Sequence, residues 1–234
     1  MAVPSLHLTP TDEPKETLAS AAYDRLRQEI ITVAIPPGEK LHIRALCDRF
    51  GVGLSPIREA LSRLSSEGLV SQSDHRGFAV AGMSEDDLVD LTRARCWVNE
   101  LAIRNSIAHG DAAWEESVVL SFHRLSRTPR FEPGDAETRS PDWERAHRVF
   151  HSSLIAASGS HRLEQYCEQL FESAERYRHV GRKAGIKGEN RDHEHRALME
   201  AAVARDADAA ARLIKAHFEH TAELVRKVLH DRAL

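Results

Sequence analysis

Histidine is the side chain whose charge and metal affinity both change near neutral pH, and this chain carries 14 of them in 234 residues. Three (His7, His42, His75) fall in the first 82 residues, which leaves 14 − 3 = 11 further along. Within WERAHRVFHSSL, His147 and His151 stand four residues apart, so a helix puts them on one face, where they can share an ion. His195 lies in DHEHRALMEAA and His217 in LIKAHFEHTAEL, both in segments with helical spacing. A helical bundle that points these four inward offers one metal four imidazoles at about 2.0–2.1 Å. Imidazole suits zinc, nickel, copper or iron and disfavours magnesium or calcium; zinc is the first expectation. A lone histidine is more often a surface or packing residue, so spacing alone leaves both readings open. His123, His193 and His220 are expected in solvent.

A second group of residues could hold nucleic acid. In SPIREALSRLSSEG, Ser55 and Pro56 open a helix whose first turn carries Arg58, and Arg44 starts the helix before it. A guanidinium in such a first turn can reach a guanine edge or a phosphate, and the hydroxyl and amides around Ser55 and Pro56 can hold a phosphate. The competing reading is that Arg44 and Arg58 are ordinary surface arginines, or that Arg58 pairs with Glu59 or Glu67. Signals for catalysis are weaker. HEHR at 193–196 lacks the HExxH spacing of a zinc hydrolase, and there is no nucleophile elbow and no carboxylate assignable as a base beside the histidines. A metal-dependent hydrolase or dioxygenase is therefore the secondary reading, beside a metal sensor.

These residues need elements to position them. Residues 1–16 combine Pro4, Pro10 and Pro14 with polar neighbours and no apolar period, as in a flexible tail. From Leu18 the stripe Leu18, Ala22, Leu26, Ile30 predicts a helix that Pro36-Pro37-Gly38 stops. Helices then fit 43–50 and 55–67, with Ser55 as N-cap of the second and a hairpin around Ser73-Asp74 and Gly77 after it. Helix, helix-turn-helix and hairpin form a winged helix-turn-helix over 17–82. From 83 to 234 the chain reads as all-helical, with helices expected near 84–108, 112–126, 141–158, 160–180, 189–205 and 207–230. The polar stretch 126–142, with Pro129, Pro133, Gly134 and Pro141, is expected as a mobile loop. The fold class is thus mainly α: an N-terminal winged helix-turn-helix with a small β-hairpin wing, and a C-terminal helical bundle.

Composition bounds the class. With 32 Lys+Arg against 36 Asp+Glu and a net charge of −4, DNA affinity must come from a local patch. Residues 17–82 hold eight Lys+Arg and seven Asp+Glu, a balance of +1, so arrangement rather than excess must supply it. Three separated cysteines (Cys47, Cys96, Cys167) argue against a disulfide framework, and no apolar run approaches a membrane span. A cytoplasmic protein without a membrane partner is expected.

The run IPPGEKLHIRALCDRFGVGLSPIREALSRLSSEGLV, followed by the wing HRGFAV, resembles the GntR-type transcriptional regulators through its PPG, GV turn, PIREAL and EGLV elements. The resemblance implies DNA contacts from Arg44, Ser55, Pro56 and Arg58, with His75, Arg76 and Gly77 in the wing. Gly53 and Leu54 depart from the family's usual Ser or Thr followed by Arg, which removes a base contact worth roughly 1–3 kcal/mol of discrimination. The segments VFHSSLIAASGSHRL and EHRALMEAAVARDADAAARLIKAH are similar to the ligand-sensing FCD domain of the FadR subfamily. That resemblance implies a divalent metal held by one aspartate and three histidines. His151, His195 and His217 fall on the histidine positions, and His147 stands where the aspartate is expected. Tetrahedral coordination by all four would close the site, whereas six-coordination would leave two positions for an effector carboxylate. Arg95 matches a family arginine that faces the effector, its alternative being a surface salt bridge with Glu100 or Asp90; Asn99 stands where glutamate is frequent. The TRARCWVNELAIR helix is similar to members that respond to small dicarboxylates such as glutarate. Together these imply a homodimeric repressor that binds a double-stranded operator under control of a small carboxylate effector.

Overall fold

The computed structural model describes residues 17–73, 77–183 and 192–232. The N-terminal tail, His75 and Arg76 lie outside the described residues. Contacts divide the chain into two compact units: residues up to Glu29 with Glu39–Ala81, and Ile30–Gly38 with the residues from Gly82 onward.

In the first unit, α1 (Leu18–Ile31) buries Ala22 and Leu26 along its predicted stripe. Helix α2 (Ile43–Phe50) ends where Gly51 takes a left-handed φ of 66°, a conformation that costs glycine little. Helix α3 (Leu54–Ser66) buries Ile57, Ala60, Leu61 and Leu64, the i, i+3, i+4, i+7 face that holds it to the core. Its N-cap is Gly53, not Ser55. The extended residue stands two positions earlier than the side-chain capping preference suggested, so Ser55 and Pro56 both lie within the first turn. The hairpin pairs β2 (Val70–Ser73) with β3 (Gly77–Val80), Val70 opposite Val80. A third strand, β1 (Lys40–Leu41), pairs with β3 through Leu41 and Phe78 and makes the sheet order β1-β3-β2. Two residues are too few to show an alternating pattern, which is why the sequence gives no sign of β1.

In the second unit, α4 (Glu85–His109) starts at Ser84, whose hydroxyl accepts from Asp87 N at 3.1 Å, and α5 (Ala112–Arg127) starts at Asp111, which accepts from Trp114 N. Between them Gly110 is required by packing: a Cβ there would meet the Trp114 ring at 2.3 Å. Helices α6 (Pro141–Ile155), α7 (His161–Lys183), α8 (Asp192–Val203) and α9 (Ala207–Arg232) complete the unit around Ile103, Val118, Phe150, Leu154, Leu198 and Phe218. The stretch expected as a loop is a second hairpin, β4 (Phe131–Glu132) and β5 (Asp135–Arg139), with Phe131 opposite Arg139. Pro133 and Gly134, the latter at φ 81°, supply the two central residues of its turn. Proline and glycine exclude helix, as read from sequence, but here they connect strands rather than leave the segment irregular.

Candidate metal centre and nucleic-acid interface

Helix α6 points Trp143, His147, Phe150, His151 and Leu154 inward, and His195 of α8 and His217 of α9 meet them there. All four histidines are buried, and one ring nitrogen from each lies within 4.8 Å of the others. The Nε2 atoms of His147 and His151 are 3.1 Å apart. Four ligands at zinc–nitrogen bond lengths in a tetrahedron stand about 3.3 Å from one another, so small rotations of the rings would close the cluster on an ion. Burial, followed by the neighbouring rings, holds His147 and His151 well below the usual histidine range, in the neutral form that ligates metal. The Glu194 carboxylate accepts from His217 Nδ1 at 2.7 Å, which fixes the tautomer that presents Nε2 as donor. The donor set therefore fits a transition metal. A second group of candidate ligands, Glu144, Glu175 and His179, fits a cation poorly, because Glu175 is paired with Arg178 and Glu144 lies 3.3 Å from Arg182.

A cavity of about 80 Å³ adjoins the cluster, lined by His147, His195 and His217 together with Trp143 and the arginines Arg130, Arg139, Arg178 and Arg182. The two arginines of the second hairpin were not singled out from sequence, because the segment read as a loop. Arg178 and Arg182, one turn apart on α7, could have been found as a cationic pair on one helix face. Arg95 and Asn99 stand outside the cavity lining, although Arg95 is near enough for its charge to act on His151 and Arg178. The Arg95 guanidinium lies 3.8 Å over the Phe218 ring, and Asn99 donates to the Arg95 carbonyl at 3.0 Å. Among the described residues the surface pairing weighed for Arg95 is absent too: Glu100 engages Arg104, and Asp90 pairs with Arg93 at 3.9 Å. Burial lowers the Arg95 guanidinium to about 10. Of the three histidines expected in solvent, His123 and His193 are simply exposed; His220 is exposed and lies 3.4 Å from Glu194.

In the first unit, Arg44 is the second residue of α2 and Arg58 lies in the opening turns of α3; both are exposed, as is Ser55, with Pro56 half-buried. Arg44 and Arg58 line one groove with Lys40, His42, Gln72 and Gly77. Arg58 forms no ion pair with a described residue, and Glu67 is occupied by the Tyr23 hydroxyl at 2.7 Å. Gly77 opens β3 at φ 79°. His75 and Arg76 cannot be placed within the described residues.

This arrangement, a winged helix-turn-helix followed by an all-helical unit, defines a class of DNA-binding protein. Residues 18–80 match the profile of the bacterial regulatory proteins of the gntR family, and residues 90–220 match the FCD domain. The chain is 36% identical over 211 residues to BphR of Paraburkholderia xenovorans (strain LB400), described as an uncharacterized HTH-type transcriptional regulator, covering 90% of this chain and 86% of that one. It is 36% identical over 200 residues to the HTH-type transcriptional repressor GlaR of Escherichia coli (strain K12), covering 83% and 90%. The solved structure of E. coli McbR/YncC superposes with a TM-score of 0.72 at 19% identity, covering 90% of this chain and 98% of that one, a likeness of fold. The chain belongs to the gntR family of bacterial regulatory proteins and carries an FCD domain; it is a DNA-binding transcriptional regulator, and its relatives are regulators, not enzymes. No helix among the described residues is long and apolar enough to cross a membrane.

Proposed function

We propose that this regulator is a homodimeric repressor whose operator binding is controlled from the FCD unit by a divalent transition metal, zinc first, and a small carboxylate effector. The observation that carries this reading is the buried cluster of His147, His151, His195 and His217 beside a cavity with four arginines. The metal, when bound, supplies a positive anchor for an anionic group. The residues of the chain do the rest: the four rings supply the donors, with His147 and His151 held neutral by burial, Glu194 fixes the orientation of His217, and the arginines bind and orient the anion. In the other unit, Arg44, Ser55, Pro56 and Arg58 contact the operator, with His75, Arg76 and Gly77 contributing from the wing. The name of GlaR, a repressor, supports the direction of control. The effector acts by binding more tightly to the state that does not hold DNA, a coupling typically worth 1–3 kcal/mol.

The test is elemental analysis of the purified protein and of the double variant His147→Ala/His151→Ala. One transition-metal ion per chain in the wild type and none in the variant is expected; metal-free wild type that cannot be loaded with zinc would sink the reading.

A further inference from the structure

Helix α3 presents an exposed row. Leu54, Arg58 and Ser62 stand four residues apart, so they follow one another along one side of the helix, with Ser55 beside them, and all four are exposed. The other side, Ile57, Ala60, Leu61 and Leu64, is buried. Arg58 and Ser62 line the groove that Lys40, His42 and Arg44 line from β1 and α2 and that Gln72 lines from the wing. Among the described residues no acid lines it. Cations without counter-charges suit a phosphate backbone, so a duplex is the occupant that fits. Leu54 is the first residue of α3, at the end of the helix that reaches base edges in a helix-turn-helix. Its side chain is 55% exposed; among the described residues of the first unit, Leu18 at the start of α1 is the other large hydrophobic so placed. A single exposed leucine is ordinary on a protein surface. What sets Leu54 apart is the row it heads and the approach to it. Gly53, which caps α3 without a side-chain bond, has open space where a Cβ would stand, so a base pair can come against the leucine without displacing a neighbour.

We infer that Leu54 is a specificity-determining residue that packs on the C5-methyl group of a thymine in each operator half-site. Thymine is the base that carries a methyl on its major-groove edge, whereas guanine, adenine and cytosine present donors and acceptors there. Leucine has neither donor nor acceptor. Set against one of those polar edges, it excludes water and returns no hydrogen bond; set against thymine, it covers an apolar group. An arginine at the same place would take a guanine edge, so the leucine changes which base is read and not merely how tightly. This rests on α3 entering the major groove, as in the proposed function.

The experiment uses the full-length protein and a duplex that it selects from a random-sequence pool. Selected sites should carry thymine at one fixed position in each half-site. In fluorescence anisotropy, replacing that thymine in one half-site by deoxyuridine, which removes only the methyl, should weaken wild-type binding roughly three- to tenfold. Leu54→Ala should bind the thymine and uracil duplexes alike; the residue lies outside the core and alanine favours helix, so the variant keeps its fold. Arg58→Ala should bind more weakly and keep the uracil penalty. Absence of a fixed thymine, or a uracil penalty that Leu54→Ala retains, would overturn the assignment of Leu54 and leave the placement of α3 standing. An Arg58→Ala protein unchanged in affinity and in sequence preference would overturn the placement of α3, and this inference with it.

Discussion

The Glu194 carboxylate stands 2.7 Å from Nδ1 of His217 and 3.4 Å from Nδ1 of His220, so one acid on α8 braces two histidines of α9. The bracing matters most at His217, because the cluster itself contains four imidazoles and no carboxylate. Negative charge absent from the ligands is supplied one hydrogen bond away. Glu194→Gln keeps the shape and removes the charge, and metal affinity should fall roughly 10–100-fold. Competition with a chromophoric chelator reads this directly; an unchanged affinity would mean that Glu194 only packs.

A pH dependence follows from the buried rings. Burial lowers His147 and His151 well below 6.5, so above that value both are neutral in the folded and the unfolded chain and stability is complete. As pH falls below about 6.5, the unfolded chain takes up protons that the folded one refuses, and stability declines toward the lowered folded values. Each ring contributes up to roughly 1.4 kcal/mol per pH unit. Urea titration of chelator-treated protein at pH 7.5 and 5.5 should show a lower midpoint at 5.5; identical midpoints would show that the rings are not held neutral.

Arg58 and Arg44 should fail differently. Arg58 is exposed in the opening turns of α3 without an ion pair to a described residue, and in the proposed function it reads bases. Arg58→Ala should cost roughly 1–3 kcal/mol and relax sequence preference, whereas Arg44→Ala should weaken all sequences alike and reduce the salt slope by about 0.9. Fluorescence anisotropy on specific and scrambled fragments over a salt series separates the two. Equal losses on both fragments for both variants would make Arg58 a phosphate contact only.

Gly110 gives a check on the packing of the FCD unit that is independent of any ligand. Adding a Cβ drives it against the Trp114 ring and the Ser106 carbonyl, at 2.3 and 2.7 Å. Because Trp114 is anchored by its indole N–H to the Ser153 carbonyl at 2.9 Å, the ring cannot simply withdraw. Gly110→Ala should cost roughly 1–3 kcal/mol, measured as a lowered denaturation midpoint of zinc-loaded protein.

Much of this was legible in the sequence, for identifiable reasons. The stripe Ile57, Ala60, Leu61, Leu64 and the wing residues have strong periods, and the pair His147–His151 carries its geometry in its spacing. What was not legible depends on long-range packing. Nothing local distinguishes Arg139 from the other arginines around it; its place beside the histidine cluster emerges only when the hairpin lays it over Trp143. Arg95 shows the same limit, since its place over the Phe218 ring leaves no signature in the local sequence. Strand β1 and the Gly53 cap were missed because two residues carry no period and because a glycine cap leaves no side-chain signature.

The most direct measurement of the central claim is operator binding, followed by anisotropy on a fragment of the chain's own promoter region, for zinc-loaded and chelator-stripped protein titrated with glutarate. The account predicts that the acid releases DNA from the zinc-loaded protein and has no such effect on the stripped protein or on His151→Ala. Release that is equally effective without metal, or DNA binding indifferent to both metal and acid, would contradict it.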